Sequence, residues 1–87
     1  MPFYFKVYAK TDCNYCLEAI KWMNDNGLDY VLILLDRSPD YHNKLKNDYE
    51  WPTVPIILKG DKTTHSYELI GGCDDFKKWL EGFTAGE

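Results

Sequence analysis

The chain has 87 residues, 45% hydrophobic and 16% aromatic against 28% charged, which is the size of a single domain over residues 1–87 and too rich in bulky apolar side chains for a disordered segment. Ten Lys plus Arg against fourteen Asp plus Glu give a formal charge of -4, so the broad basic field that holds phosphate backbones is missing and no nucleic-acid partner is expected. The longest apolar run, Tyr30 to Leu35, falls far short of the roughly 20 residues that cross a bilayer, and no basic-then-apolar leader precedes Phe3. The expectation is a soluble, cytoplasmic monomer with no membrane partner.

Phe3 to Ala9 (FYFKVYA) alternates Phe3, Phe5 and Val7 with Tyr4, Lys6 and Tyr8, the period of a strand. From Asn14 the period changes: Leu17, Ile20 and Met23 recur at about one helical turn, and Gly27 can take the left-handed closing conformation, which predicts a helix of about twelve residues. Tyr30 to Leu35 (YVLILL) is continuously apolar and too short for a core helix. It predicts a strand covered on both faces, parallel and central. Strand, helix and strand within about 35 residues form a βαβ unit with a right-handed crossover.

Ser38 then reads as the cap of a second helix, with Pro39 in its first turn and Tyr41, Leu45 and Tyr49 on one face. Val54 to Lys59 and His65 to Ile70 read as antiparallel strands joined at a Gly60-Asp61-Lys62 turn. Gly71-Gly72 breaks the second of them, and Phe76, Trp79, Leu80 and Phe83 follow at the spacing of an amphipathic helix, with Thr84 to Glu87 as a frayed tail. The order is βαβ, α, ββ, α, an α/β fold.

Chemistry concentrates at Cys13-Asn14-Tyr15-Cys16, a C-x-x-C placed where the first strand ends and the first helix begins. One helical turn brings i and i+3 onto one face with Cα atoms roughly 5 to 6 Å apart, within the span of a disulfide. Cys13 lies at the helix N-terminus, where unpaired N–H groups and the positive dipole end favour a thiolate, so it is the expected nucleophile. Cys16, one turn inside, is the expected resolving thiol. Half of a zinc site is the first alternative, but the other ligand candidates, Cys73, His42 and His65, are scattered singly, and no metal is expected. Two inert core cysteines are the second, and that reading leaves a helix N-terminus and Lys10 beside them unused.

With this C-x-x-C, Thr53-Val54-Pro55 and Gly71-Gly72-Cys73-Asp74-Asp75 in order, the chain resembles the glutaredoxin family over nearly its whole length. The resemblance implies a thioredoxin-like fold, a central four-stranded mixed sheet flanked by three helices (βαβαββα). It also implies a glutathione-dependent thiol–disulfide oxidoreductase that reduces protein disulfides and glutathione mixed disulfides. Glutathione enters as co-substrate, and the partners are disulfide-containing or glutathionylated proteins, ribonucleotide reductase among the candidates. By the same resemblance Pro55 is cis, and Val54 offers its backbone N–H and C=O to the substrate as a short antiparallel strand. Thr53 precedes it in that motif. Tyr15 lines the groove, and Lys10 favours the thiolate and contacts the glycine carboxylate of glutathione.

Gly72, Cys73 and Asp74 correspond to the site for the γ-glutamyl end. Their physics is independent of the label: glycine lets a ligand approach the backbone, free N–H groups at the helix start attract a carboxylate, and Asp74 can pair with an ammonium. Against this stands the simpler role of Gly-Gly ending a strand while Asp74 caps a helix, and the two are compatible.

The chain departs from the family pattern in several places. Asn14 replaces a proline between the cysteines. Glu50 and Trp51 stand before Pro52 and Thr53, where many members carry Arg, Lys or Gln to hold a glutathione carboxylate, and Ile56 stands where Gln is common. These departures keep two rivals in view: a dithiol electron carrier served by a flavin reductase, and a [2Fe-2S] cluster carrier ligated by Cys13 thiolates and glutathione.

Overall fold

The computed structural model describes residues 2–85, the side chain of Ala85 excepted. Its elements run β1 (Phe3–Ala9), α1 (Asn14–Asp25), β2 (Tyr30–Leu34), α2 (Pro39–Tyr49), β3 (Ile56–Asp61), β4 (Tyr67–Gly71) and α3 (Cys73–Ala85). The strands form one four-stranded sheet in the order β2-β1-β3-β4, with β1 parallel to β2 and antiparallel to β3, and β3 antiparallel to β4. The expected βαβαββα order and mixed sheet are therefore present.

The alternation in β1 divides the core. Phe5, Val7 and Ala9 face α1 and α3 and pack with Ala19, Met23, Ile57 and Phe76. Tyr8 points the other way and packs with Leu35, Leu45, Ile56 and Leu58 beneath α2. A strand has a side-chain period of two, so one sequence of seven residues serves two cores. An aromatic run closes the first core: Phe5 meets Phe76 and Trp79 edge-on at centroid distances of 5.2 and 4.9 Å, and Trp79 stacks on Phe83 at 5.0 Å.

Several expectations are corrected. β2 is parallel as expected but lies at the sheet edge, and Val31, Leu32 and Leu34 are 48%, 42% and 50% exposed. The strands inside the sheet are β1 and β3; of β2, Ile33 packs against the cluster of Tyr8, Leu35 and Ile56 beneath α2, while Leu32 and Leu34, in register with Val7 and Ala9, stand on the opposite face at the open edge. Ser38 occupies the N-cap of α2 without a side-chain capping bond; its carbonyl accepts from His42 N–H at 3.0 Å, and Pro39 follows in the first turn. His42 and Leu45 are the buried residues of that helix, while Tyr41 is exposed at its edge, its hydroxyl donating to that of Tyr8 at 3.2 Å.

The hairpin turn also lies later than expected. Gly60 and Asp61 belong to β3, and the Asp61 carboxylate accepts from the N–H groups of Thr63 and Thr64 at 2.7 and 3.0 Å, which folds the chain back. Gly60 is required by packing instead: a Cβ there would stand 2.8 Å from the Tyr4 ring. At the C-terminal end, Thr84 is helical, its hydroxyl donating to the Leu80 carbonyl at 3.0 Å, while Gly86 and Glu87 lie outside the described residues. Gly27 closes α1 at φ 64° as anticipated.

Candidate active site

Three chain segments meet at the C-terminal end of β1. The first is the start of α1. Cys13 is its N-cap residue, in extended conformation at φ -108°, ψ 108°, and its Sγ accepts from Cys16 N–H at 3.2 Å. A donor at that distance, at the positive end of a twelve-residue helix, stabilises a thiolate at Cys13 and has no such effect on Cys16. Cys13 is half-buried and Cys16 is 1% exposed. The two are joined as a disulfide with Cα atoms 5.2 Å apart, so the pair closes without moving the helix.

The second segment enters β3. Val54-Pro55 is a cis peptide bond, and Pro55 is fully buried. The Val54 carbonyl oxygen stands 3.8 Å from Cys13 Sγ. Because β3 pairs with β1 only from Ile56 onward, the backbone of Val54 is engaged by no other backbone group among the described residues.

The third segment is the start of α3. Gly71 has φ 122°, and a Cβ there would lie 2.7 Å from Asp75 Oδ2, so both conformation and space demand glycine. Asp75 Oδ2 accepts from Gly72 N–H at 3.1 Å, closing the helix start three residues back along the chain. The cap is thus Asp75, and Asp74 is left exposed. The first intrahelical bond runs from Phe76 N–H to the Gly72 carbonyl at 3.0 Å, so the N–H groups of Cys73, Asp74 and Asp75 have no acceptor within the helix.

These segments enclose a cleft of about 380 Å³. Tyr15, 63% exposed, stands on one side, Thr53, Val54 and Pro55 form the middle, and Gly72, Cys73 and Asp74 form the far wall. Seven of the eight residues singled out for substrate binding from the sequence (Tyr15, Thr53, Val54, Pro55, Gly72, Cys73 and Asp74) line it. Lys10 does not: it is half-buried at the end of β1, where its charge bears on Asp36 and His42.

Two lining residues were absent from the sequence-based set, Trp51 and Asp75. Asp75 had a signal in its spacing from Gly72, which is that of a capping pair. Trp51 had one only through the family resemblance, as a departure at a carboxylate-holding position, and its place follows from the path of the chain after Glu50, which ends α2 in the left-handed conformation at φ 52°. Its indole Nε1 is buried without a hydrogen-bond partner among the described residues. A third contribution comes from Asp36, whose carboxylate accepts from Thr11 N–H at 3.1 Å and Thr11 Oγ1 at 2.7 Å, tying the loop before Cys13 to the end of β2. Those bonds hold the Asp36 carboxyl below the usual range.

Cys73, the remaining cysteine, is 6% exposed. Burial pushes its thiol up, and the carboxylates of Glu18 and Asp74 add to the shift, so it is a poor nucleophile at neutral pH. Among the described residues no three His, Cys, Asp or Glu side chains converge as a metal site.

A family model for glutaredoxin matches residues 5–63. A glutaredoxin of Pseudomonas aeruginosa is 33% identical over 69 residues, which span 79% of this chain and 75% of that protein. Among solved structures, the buckwheat glutaredoxin–glutathione complex is 31% identical with a TM-score of 0.73, over 92% of this chain and 71% of that one. Glutaredoxin 1 of Francisella tularensis, in complex with cacodylate, shares the fold at 21% identity and a TM-score of 0.74, over 95% of this chain and 98% of that one.

Proposed function

The chain belongs to the glutaredoxin family and is a thiol–disulfide oxidoreductase built on Cys13 and Cys16, and from that premise we propose that it takes glutathione as co-substrate, reducing protein disulfides and glutathione mixed disulfides. The observation that carries the reading is the open backbone of Val54 beside Cys13 Sγ at 3.8 Å, in a cleft whose far wall holds unpaired N–H groups and the exposed Asp74. An extended thiol peptide laid along Val54 brings its sulfur to Cys13. Its α-carboxylate meets the N–H groups of Cys73 and Asp74, and its α-ammonium meets the Asp74 carboxylate. Glutathione carries those two groups on one carbon.

In the chemical step the Cys13 thiolate attacks one sulfur of the substrate disulfide. A Cys13–substrate disulfide forms and the other sulfur leaves as a thiolate. For a protein disulfide, Cys16 then loses its proton to solvent or to the departing sulfur and attacks Cys13 Sγ, which closes the Cys13–Cys16 disulfide and releases the second substrate thiol. Two electrons have passed from the dithiol to the substrate. Two glutathione molecules return them, one forming a mixed disulfide at Cys13 and the second attacking it to leave oxidised glutathione and the free dithiol. This cycle needs a pool of reduced glutathione, which supports a cytosolic setting. Among the described residues no helix is long and apolar enough to cross a membrane. No feature of the cleft favours a flavin-coupled carrier or a cluster carrier over this reading.

The test is reduction of a small glutathione mixed disulfide coupled to glutathione reductase and NADPH. Turnover that saturates in glutathione and disappears in Cys13→Ser supports the reading. Turnover only when thioredoxin reductase replaces glutathione overturns it.

A further inference from the structure

The residues lining the cleft include Asp74 and Asp75 and no Lys, Arg or His. We propose that this cleft selects its disulfide partners by positive charge: the protein substrates it serves present a cysteine flanked by Lys or Arg, a specificity that rests on the oxidoreductase reading above.

The carboxylates at the cleft are uncompensated. The ion pairs among the described residues are Lys44 with Asp48 and Lys62 with Asp29, neither at the cleft. Asp74 is exposed and pairs with no cation there, and Asp75 spends one oxygen on Gly72 N–H and keeps the other. A third carboxylate, Glu18, lies with an oxygen 4.0 Å from Cys73 Sγ, behind the same wall. Burial first, and then Glu18 and Asp74, push the Cys73 thiol up, while the Lys77 charge acts on it in the opposite sense.

Nor do neighbouring cations turn toward the substrate. The Lys77 ammonium lies over the Trp22 ring, 5.8 Å from its centroid. Lys10 acts on Asp36 and His42 and is absent from the lining. The polar group of Trp51, beside Gly72, is a buried neutral N–H donor with no partner among the described residues, and it supplies no full charge for a carboxylate.

A low-dielectric groove lined by one sign of charge concentrates partners of the opposite sign, and the chain's overall charge of -4 adds to the effect at a distance. A Lys or Arg next to the reacting cysteine would place its cation against Asp74 while the sulfur meets Cys13. A side-chain carboxylate in that position, away from the N–H groups that begin α3, would meet Asp74 and Asp75 with no side-chain cation to offset them. Glutathione, abundant and small, still resolves the mixed disulfide, while charge decides which protein disulfide arrives first.

The test uses the full chain, prereduced, and two synthetic peptide disulfides identical except for Lys or Glu on either side of the cysteine. Their second-order rate constants are measured at low and high ionic strength in the wild-type protein and in Asp74→Lys. The expected result is a preference for the Lys peptide of about tenfold or more at low salt, shrinking as salt screens it and collapsing in Asp74→Lys. Equal rates, or faster reduction of the Glu peptide, would overturn the proposal. So would a preference that survives Asp74→Lys unchanged, because it would then come from net charge and not from the cleft. Should Asp74→Lys fold poorly, Asp74→Asn read by the same ratio takes its place. Failure to reduce either peptide would overturn the oxidoreductase reading itself, an outcome distinct from reduction without preference.

Discussion

The backbone N–H of Cys16 donates to Sγ of Cys13 at 3.2 Å, so one cysteine stabilises the other as a thiolate while being 1% exposed itself. The same helical turn that separates their reactivities keeps their Cα atoms 5.2 Å apart, close enough to bond. Division of labour between the two thiols therefore follows from one element, α1, and its position at the end of β1.

In the reduced protein at neutral pH, Cys13 should be alkylated at least about tenfold faster than Cys73. Cys73 also begins a helix, but burial and the carboxylates of Glu18 and Asp74 hold it as a thiol. Peptide mapping after brief exposure to iodoacetamide reads the rates, and comparable modification of the two would remove the assignment of Cys13 as the nucleophile. Cys73→Ser should keep most activity.

Cys13→Ser should lower both protein-disulfide reduction and deglutathionylation by at least about a hundredfold, because both begin with its attack. Cys16→Ser should lose the first and keep the second within about tenfold, since a glutathione from solution can resolve the mixed disulfide. Parallel assays on a glutathionylated peptide and a protein disulfide separate these outcomes. Loss of both in Cys16→Ser would show that glutathione does not enter as the resolving thiol.

Adjacent glycines should respond differently to alanine. At Gly71, φ 122° and a Cβ position 2.7 Å from Asp75 Oδ2 predict a loss of about 1 to 3 kcal/mol in unfolding free energy. At Gly72 a Cβ would make ordinary contacts, 3.6 Å from the Trp51 ring and 3.8 Å from the Pro55 carbonyl oxygen. Gly72→Ala should thus fold with near-normal stability while filling the cleft, raising KM for a glutathione mixed disulfide. Denaturant melts and steady-state kinetics on the pair decide it.

Stability should fall in two stages on acidification. His42 is buried, and burial followed by the charges of Lys46 and Lys10 lowers its pKa below 6.5, so the folded state resists protonation that the unfolded chain accepts. Its contribution is present above pH 6.5 and is lost as pH falls through the depressed folded value. Asp29, Asp36 and Asp61, lowered from 3.8 chiefly by hydrogen bonds from Lys62, Thr11 and the Thr64 backbone, act in the same sense at lower pH. Thermal melts between pH 7 and 2 should show the first decline flattened in His42→Gln. An unchanged profile in that variant would mean His42 titrates normally.

Period-two alternation in Phe3–Ala9 and the one-turn spacing of Leu17, Ile20 and Met23 report where a strand and a helix lie, and both elements lie there, but the face α1 buries is Cys16, Ala19 and Met23, with Leu17 59% exposed. Cys13 and Cys16 were legible for the same reason: their relationship is local, set by one turn of helix. What the chain order could not carry was anything that depends on a neighbour remote in sequence. The run Tyr30 to Leu35 reads as buried on both faces, yet only the sheet order leaves β2 at the edge. Gly60 reads as a turn residue, yet it is glycine because the Tyr4 and Tyr67 rings cross it. The Thr11 and Asp36 bond spans 25 residues, and Trp51 meets Gly72 across the cleft only after β3 has paired with β1. Backbone periodicity is a local property written in consecutive residues, whereas exposure, close approach and the charge of a cleft are set by which distant segments the packed sheet brings together.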